Sequence, residues 1–362
     1  MKTIVITLFI LTYVTMLTLP KYRQYAAAAV AVVMVILGVV SPLEAVNAID
    51  WNVIMMLAGT MGTVYLCIES KMPAMVRDML VNKLKSVKLI FVALALFSGL
   101  VSAFIDNVAT VLMVAPIALA IAKKFNVSPV NTVLTVAVSS NLQGAATLVG
   151  DTTSILLAGY AGMDFMDFFV IDGKPGMFWV VQAGAVATIP ILFWIFRNEK
   201  NRIETTEITK VTDFMPTYAL LATVISLVIA SFIPNKPALT NGLICVFFFI
   251  AVLRYEVGRD EPVATGHDAV LAIDFDTLLL LSGLFVIIQA VTNVGLIDDI
   301  SNAFVNIAGD NLFKIYTILV WFSVLVSAFI DNIPYVATML PVVSGISAQL
   351  GLDPTLLYFG LL

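Results

Sequence analysis

Charged residues are scarce in this sequence. Only 12% of its 362 residues are Asp, Glu, Lys or Arg, whereas 60% are hydrophobic and the mean hydropathy is +1.03. Soluble globular domains carry about 25% charged residues, so this composition excludes an ordinary soluble domain and predicts a multi-pass membrane protein. Basic patches are absent as well, because Lys and Arg stand at the ends of apolar runs. The sequence therefore predicts the lipid bilayer as a partner and excludes nucleic acid.

Histidine and cysteine are equally rare. His267 is the only histidine and lies in a polar stretch, and the two cysteines, Cys67 and Cys245, fall inside apolar segments. Thiols in such segments behave as small hydrophobic side chains. The count excludes a disulfide framework and the usual zinc-ligand spacings, and the sequence contains no nucleophile–base pair. We therefore expect a protein that is not an enzyme and that needs no cofactor.

What the sequence does contain is a stretch that occurs twice. Residues 102–129 and 327–354 align without a gap at a constant offset of 225, and 10 of the 28 aligned residues are identical. Each copy places an Asp-Asn pair in apolar sequence, Asp106-Asn107 and Asp331-Asn332. A carboxylate at membrane depth is costly and indicates a functional site. Two of them at corresponding positions are typical of transporters built from internal repeats.

Long apolar runs supply the candidate membrane spans. A helix needs about 20 apolar residues to cross the hydrocarbon. Residues 1–20 lack an A-x-A-like cleavage site and a second apolar run follows at once, which favours a first transmembrane helix over a signal peptide. A basic amphipathic segment at 71–88, and its acidic counterpart at 296–311, are predicted to lie at an interface. The predicted spans are 3–19, 25–42, 50–68, 130–160, 175–196, 216–234, 238–254 and 274–292.

The segment 88–123 predicts a re-entrant helical hairpin with Asp106-Asn107 at its tip. Its two arms of about 17 residues reach only about 25 Å each. Two tight spans are the alternative, but only the hairpin places the basic clusters on one side, as the positive-inside rule requires. The second hairpin, 312–347, then enters from the opposite side, so the two repeats are inverted.

The repeat extends upstream, because the stretch from Asp50 to Gly59 matches that from Asp274 to Gly283 at offset 224. We predict an all-α polytopic membrane protein of two inverted-topology repeats, each with a re-entrant hairpin and a broken transmembrane helix. The predicted divisions are N-terminal transmembrane helices at 1–45, a first repeat at 46–196, a cytoplasmic linker at 197–215 and a second repeat at 216–362.

The broken helix is predicted from residues 139–154, SSNLQGAATLVGDTTS, inside the span 130–160. Glycines, hydroxyls and amides are poor helix formers, and the half-helix ends and unwound carbonyls of such a break can bind ions. A helix kinked by close packing of small residues is the alternative, although packing does not need the carboxylate of Asp151. The counterparts of Asn141 and Asp151 at offset 225 fall beyond Leu362, so we expect the second repeat to be truncated.

The hairpin motif SAFIDN followed by GAATLVGDTTSILLAG resembles the ion transporter superfamily. It is most similar to the ArsB/NhaD permeases and the melanosomal P protein, with citrate transporters and divalent-anion:sodium symporters as more distant relatives. NhaD-like antiporters place Asp-Asn at the hairpin tip and Gly-Asp-x-Thr-Thr in the broken helix, which Gly150-Asp151-Thr152-Thr153 matches apart from the intervening residue. The resemblance covers nearly the whole chain. It implies a candidate homodimer, and we expect a location in the plasma (inner) membrane.

These features predict an ion transporter that works by alternating access. Asp106, Asp151 and Asp331 would bring three carboxylates near one site, where they cannot all ionise cheaply, and this suits proton exchange. We predict a Na⁺/H⁺ antiporter of the NhaD-like type with these aspartates as candidate Na⁺ ligands. Proton- or sodium-coupled transport of a small anion such as arsenite, citrate or a dicarboxylate is the alternative, and a channel is disfavoured by the paired tips. The predicted ion- and substrate-binding residues are Asp106, Asn107, Thr110, Asn141, Gln143, Gly144, Thr147, Gly150, Asp151, Thr152, Thr153, Asp331 and Asn332.

Overall fold

The computed structural model describes residues 1–84, 86–199, 208–309 and 311–362, and their regular structure is almost entirely helical. Two short 3-10 helices cover Pro20–Tyr22 and Phe165–Phe168, and the strands β1 (Val170–Ile171) and β2 (Lys174–Pro175) pair antiparallel. The α-helices are α1 (Lys2–Thr18), α2 (Arg23–Ile36), α3 (Pro42–Ala48), α4 (Trp51–Glu69), α5 (Met72–Lys83), α6 (Val87–Ser102), α7 (Asn107–Phe125), α8 (Pro129–Gly144), α9 (Thr152–Ala161), α10 (Met177–Ile195), α11 (Met215–Ala230), α12 (Thr240–Val257), α13 (Gly266–Leu271), α14 (Phe275–Asn293), α15 (Leu296–Ala308), α16 (Leu312–Ser327), α17 (Asn332–Leu350) and α18 (Thr355–Phe359).

The helices confirm the predicted class of an all-α polytopic membrane protein, apart from the two-residue strands. Among the described residues, six helical stretches are long and apolar enough to cross a membrane: α4, α7, α10, α12, α13 with α14, and α17. The pair α15 and α16, bent by 119°, would add a seventh. The helices α1, α6 and α11 are apolar but shorter, at 16 or 17 residues. The predicted span 25–42 is only partly helical, because α2 ends at Ile36 and Gly38 turns the chain with a φ of 70°.

The internal repeat is visible in the helix boundaries. At an offset of 225 residues α16 begins and ends at the counterparts of the α6 boundaries, and α17 does the same for α7. Upstream, α14 matches α4 at an offset of 224, and the short helices α3 and α13 precede them in both copies. The predicted break at 139–154 is also present, since α8 ends at Gly144 and α9 begins at Thr152.

Each repeat contains a helical hairpin with the Asp-Asn pair at its tip. In the first, Ile90 and Leu94 of α6 pack with Val114 and Ala118 of α7, which is the pairing of two antiparallel arms. The arms are unequal, with 16 residues in the first and 19 in the second, rather than about 17 each. The second arm is long enough to cross a membrane, so the re-entrant interpretation rests on the basic clusters and stays a prediction.

The chain packs as two compact units. One unit comprises residues 1–54, 159–162 and 274–362, and it holds the second hairpin. The other comprises residues 55–158 and 163–273, and it holds the first hairpin and the broken helix. We call them the α17 unit and the α7 unit. The predicted divisions at 1–45, 46–196, 197–215 and 216–362 follow the repeat rather than the packing, and they stay predictions.

Glycines at equivalent repeat positions allow two pairs of helices to touch. In the α7 unit, a β-carbon at Gly59 of α4 would lie 2.4 Å from the carbonyl carbon of Cys245 in α12. In the α17 unit, a β-carbon at Gly283 of α14 would lie 2.7 Å from the carbonyl carbon of Ala27 in α2. Small residues let helix backbones approach closely in membranes, where packing rather than hydrophobicity holds helices together. The two glycines that end the upstream repeat therefore each lie where two helices cross.

Most of the basic segment at 71–88 lies in the helix α5, but two of its charged residues point inward. Arg77 and Asp78 are both buried, and they form an ion pair of 3.1 Å. The Thr209 amide donates to the Asp78 carboxylate at 2.9 Å, and the Thr209 hydroxyl donates to it as well. Burial alone would raise the pKa of Asp78, but Thr209 and Arg77 outweigh burial and hold it below its ordinary value. Lys85 and Asp310 of the two predicted amphipathic segments, and Lys200 and Arg202 of the predicted linker, lie outside the described residues.

Substituting either crossing glycine tests this packing. Gly59→Ala and Gly283→Ala each force a methyl group into backbone atoms, and overpacking of this kind costs about 1–3 kcal/mol. We expect a lower apparent melting temperature of the detergent-purified protein for both. Gly184→Ala in α10 is the matched control, because its β-carbon would meet only Leu142 side-chain atoms at 3.7 and 3.9 Å. Equal melting temperatures in all three variants would contradict the close crossings.

Candidate functional site

The tip of the first hairpin is built around Asp106. Its carboxylate accepts hydrogen bonds from the amides of Val108 and Ala109, at 3.0 and 3.1 Å, and so caps the N-terminus of α7. An aspartate at this position stabilises a helix by satisfying amides that have no partner within it. The capping explains why an aspartate suits the sharp turn between α6 and α7. Capping alone does not explain why a charged residue was placed in apolar sequence, because uncharged residues can cap a helix as well.

The tip is fastened to the broken helix by polar side chains. The Asn107 side chain donates to the Asn141 side chain at 3.0 Å, and the Ser140 hydroxyl donates to the Asn107 carbonyl at 3.1 Å. Farther along, the hydroxyl of the fully buried Thr147 donates to the carbonyl of Ala103. The predicted residues Asn107, Asn141 and Thr147 therefore hold the hairpin against α8 and its break.

Gly150 is the closest point of contact between the break and the tip. A β-carbon there would lie 2.4 Å from the carbonyl oxygen of Gly144, 2.8 Å from that of Ser102 and 2.9 Å from that of Ala103. Gly144 ends α8, and Ser102 ends α6. Two helix C-termini thus converge on one glycine. Helix C-termini carry about half a negative charge each, so the carbonyl groups at this meeting point are locally electronegative.

Asp151 begins the second half of the broken helix. Its carboxylate accepts from the Thr152 amide at 2.8 Å and from the Thr153 hydroxyl at 3.1 Å. It therefore compensates the N-terminus of α9 just as Asp106 compensates that of α7. The predicted group Gly150-Asp151-Thr152-Thr153 forms one local structure at the end of the break.

Asp106 and Asp151 share a cleft in the α7 unit. The cleft measures about 310 Å³ including the space at its mouth. Among the described residues that line it, the only charged ones are these two aspartates. Its wall also includes one side of α4, which the sequence analysis missed. The sequence feature that could have indicated α4 is the upstream repeat, which ends at Gly59, one residue before Thr60. The lining residues are Leu57, Thr60, Met61, Val64, Asp106, Val149, Gly150, Asp151, Thr152 and Ile155.

Other predicted residues of this unit lie around the cleft rather than on its wall. Gln143 is buried and accepts a hydrogen bond at 2.9 Å from Gln182 of α10. The buried Thr110 donates to the Ile105 carbonyl at 3.4 Å, within the tip. These side chains fix the positions of α8 and α7, and Gly144 supplies a carbonyl at the break.

Asp331 and Asn332 lie in the α17 unit at the tip of the second hairpin. The Asp331 carboxylate accepts from the Ile333 amide at 3.3 Å, and it also pairs with the guanidinium of Arg23 at the start of α2. The Ser327 hydroxyl donates to the Asn332 side chain at 2.5 Å. The ion pair with Arg23 was not predicted.

Within the described part of the chain, no group of three or more His, Cys, Asp or Glu side chains could hold a metal ion. A site formed by all three aspartates stays a prediction.

Comparison with known protein families identifies the family of this chain. The profile of the citrate transporter family CitMHS matches residues 7–362. The chain belongs to this family. An uncharacterized transporter of Mycobacterium bovis is 30% identical over 311 residues, which cover 85% of this chain and 71% of the relative. The protein is therefore a multi-pass membrane transporter.

Two further similarities agree with the predicted fold and superfamily. The human P protein is 23% identical over 350 residues, which cover 74% of this chain and 41% of the P protein. The crystal structure of the YdaH transporter of Alcanivorax borkumensis superposes with a TM-score of 0.56 at 14% identity, covering 91% of this chain and 76% of that one. That identity shows a shared fold alone. The resemblance to citrate transporters and the P protein is confirmed, and a closer kinship with ArsB/NhaD permeases stays a prediction.

Gly150→Ala tests the contact between the tip and the break. A methyl group at Gly150 meets three backbone carbonyls, which cannot rotate away as a flexible side chain can. We expect a lower apparent melting temperature than for Gly144→Ala, whose methyl group would meet the Asp151 β-carbon at 3.2 Å and needs only a small shift. Detergent-purified variants are compared in one thermal denaturation series. A Gly150→Ala protein as stable as the wild type would show that the tip does not lie against the break.

Proposed function

We propose that the protein is a cation-coupled secondary transporter, and that the cleft between the first hairpin tip and the broken helix binds Na⁺ in exchange for protons. The observation that carries the proposal is the charge of this cleft. Both charged residues on its described wall are aspartates, and backbone carbonyls converge at Gly150 beside them.

The helix ends around the cleft do not oppose this charge. The C-termini of α6 and α8 contribute about half a negative charge each, and the N-termini of α7 and α9 contribute about half a positive charge each. These four ends cancel one another, so they do not reverse the negative sign that Asp106 and Asp151 give the wall of the cleft. An aspartate at the centre of a membrane helix costs about 2.5–3.5 kcal/mol, and a bound cation or a proton offsets that cost.

The same arrangement disfavours a free anion as the bound species. Anion sites at helix N-termini need backbone amides that face the ligand. At α7 and α9 the first amides donate to Asp106 and Asp151 instead. An anion would meet two carboxylates and, among the described wall residues, no Lys, Arg or His.

The oxygen atoms around the cleft are of the kinds that bind a hard cation such as Na⁺. Carboxylates, hydroxyls and carbonyls are the ligands that hard cations prefer. The cleft wall offers both carboxylates with Thr60 and Thr152, and the tip adds the carbonyls of Ser102 and Ala103. The Ser102 hydroxyl is buried without a hydrogen-bond partner in the described part of the chain. In the proposed exchange, a proton and Na⁺ compete for these two carboxylates.

The family supports a second candidate, the transport of a carboxylate anion. The matching profile is described as a citrate transporter and spans almost the whole chain. In a cleft of this charge, such an anion would bind together with a cation that neutralises the aspartates. In this case Na⁺ alone would drive no proton movement, whereas Na⁺ with citrate would drive uptake.

Proton flux in proteoliposomes distinguishes the two candidates. We expect a Na⁺ pulse to move protons in the wild type, and Asp106→Asn and Asp151→Asn to slow this flux about tenfold or more, as the loss of a metal-site contact does. Asp172→Asn is the matched control, because it removes one carboxylate from an exposed turn where φ is 49° and Asn is well accommodated. Full flux in the cleft variants would contradict a cation site there, and uptake of citrate without Na⁺-driven proton flux would favour the second candidate.

A further inference from the structure

Four basic side chains gather at one end of the α7 unit. The first turn of α6, the last turn of α7 and the end of α10 pack together there, around an apolar cluster that includes Val87, Ala122 and Phe196. The sequence analysis found no basic patch, because this one is formed by residues from three different helices. We call it the basic patch, and its members are Lys88 of α6, Lys123 and Lys124 of α7, and Arg197 directly after Phe196.

The basic patch has an excess of positive charge. None of its four residues forms an ion pair within the part of the chain that the structure describes. The stretches 86–88, 122–128 and 192–199, which build this end of the unit, contain a single acidic residue, Glu199. Like charges repel one another. An anion from outside the chain would therefore be attracted to the patch.

Helix ends explain three of these charges but not the fourth. Basic residues at helix C-termini are favoured by the negative end of the helix dipole, and this accounts for Lys123, Lys124 and Arg197. Lys88 is the second residue of α6, at the positive end of a helix, where a cation is disfavoured. The hairpin itself does not require it, because the corresponding residue of α16 at offset 225 is Phe313. Another interaction must therefore account for Lys88.

Two of the positive charges lie over aromatic rings of α10. The ammonium nitrogen of Lys88 is 4.9 Å from the ring centroid of Phe193, and the guanidinium carbon of Arg197 is 5.0 Å from that of Trp194. Such a ring holds a cation in place without neutralising it. Trp194 is exposed, and exposed tryptophan rings are typical of the headgroup level of a membrane. We therefore expect the basic patch to lie at the level of the lipid phosphates.

The same helices expose apolar side chains beside the patch. Leu89 follows Lys88 in α6, and Ile191 precedes Trp194 by less than one turn of α10, and both are exposed. Acyl chains match such side chains, because contact between apolar surfaces removes both from water. A small free anion offers no comparable contact.

We propose that the basic patch binds an anionic phospholipid, with the headgroup phosphate at Lys88 and Arg197 and the acyl chains along the exposed side chains of α6 and α10. An anionic lipid supplies both the negative charge that the patch attracts and the apolar chains that these helices accommodate. Basic clusters at the membrane surface bind anionic headgroups in this way. The proposal goes beyond the proposed function and does not depend on it, because the patch contains no residue of the cleft.

Competitive lipid binding to the purified full chain tests the proposal. The probe is a fluorescent phosphatidylglycerol, bound to the protein in detergent and displaced by unlabelled lipids with identical acyl chains. We expect saturable binding that unlabelled phosphatidylglycerol displaces and phosphatidylcholine does not. Lys88→Gln should weaken binding about fivefold, which is the contribution of one basic residue near anionic lipid. Lys88→Arg keeps the charge and should bind as the wild type does.

Lys314→Gln is the matched control. Lys314 is exposed in the first turn of α16, at the corresponding end of the second hairpin, and it forms no ion pair among the described residues. The residues that match Lys123 and Lys124 there are Ala348 and Gln349, so this end has no basic patch. We expect unchanged binding in Lys314→Gln. Equal weakening in Lys88→Gln and Lys314→Gln would show unspecific attraction to positive charge and would overturn the proposal.

The double variant Lys123→Gln with Lys124→Gln keeps the test decisive even if Lys88→Gln fails to fold. Both side chains are exposed, and their combined loss should weaken binding of phosphatidylglycerol about tenfold or more. Wild-type affinity in the folded double variant or in a folded Lys88→Gln would contradict the proposal. Displacement of the probe by phosphatidylcholine would do so as well, because the site would then not recognise charge. Displacement by inorganic phosphate would assign the patch to a free anion instead of a lipid.

Discussion

The contact of one backbone with another at Gly150 is the constraint on which the candidate site depends. A helix break and a hairpin tip can approach this closely only where one residue lacks a side chain, because three carbonyl oxygens stand within 2.9 Å of the place that a β-carbon would take. The approach brings the C-termini of α6 and α8 together. It also brings the capping carboxylates of α7 and α9 to one cleft. The charge of the site is thus a consequence of how tightly the chain is folded there.

Each carboxylate in this arrangement has a structural role, in addition to the cation binding that we propose for it. Asp106 and Asp151 begin helices, and helix capping by aspartate contributes about 1 kcal/mol. The cost of an aspartate at membrane depth is larger, at about 2.5–3.5 kcal/mol. Capping alone therefore does not offset the cost, and a serine or threonine would cap without a charge. This difference in cost motivates the cation that we propose at these residues.

Much of the architecture could be predicted from the sequence, because it depends on residues that are close together along the chain. The repeat at offset 225 predicted matching helices, and α6 and α16 have matching boundaries. Glycines and hydroxyls predicted the break between α8 and α9. The capping residues were visible as the Asp-Asn pairs. These features depend on neighbours within a few residues, which a single sequence records.

The contacts between distant elements could not be predicted in the same way. Arg23 and Asp331 are 308 residues apart, and no periodicity or motif links them. In the sequence, Arg23 is one of the basic residues that stand at the ends of apolar runs, which is an ordinary place for an arginine. Thr60 was missed because its place on the cleft depends on which face of α4 meets the break. Only packing decides that face.

Thermal denaturation of the purified protein in NaCl and in choline chloride, at equal ionic strength, tests the central claim most directly. A ligand that binds only the folded state raises its stability by RT ln(1 + [L]/Kd). The account predicts a melting temperature several degrees higher in Na⁺ than in choline for the wild type, and no such difference for Asp106→Asn. Equal melting temperatures for the wild type in the two salts, or a difference that requires citrate, would contradict it.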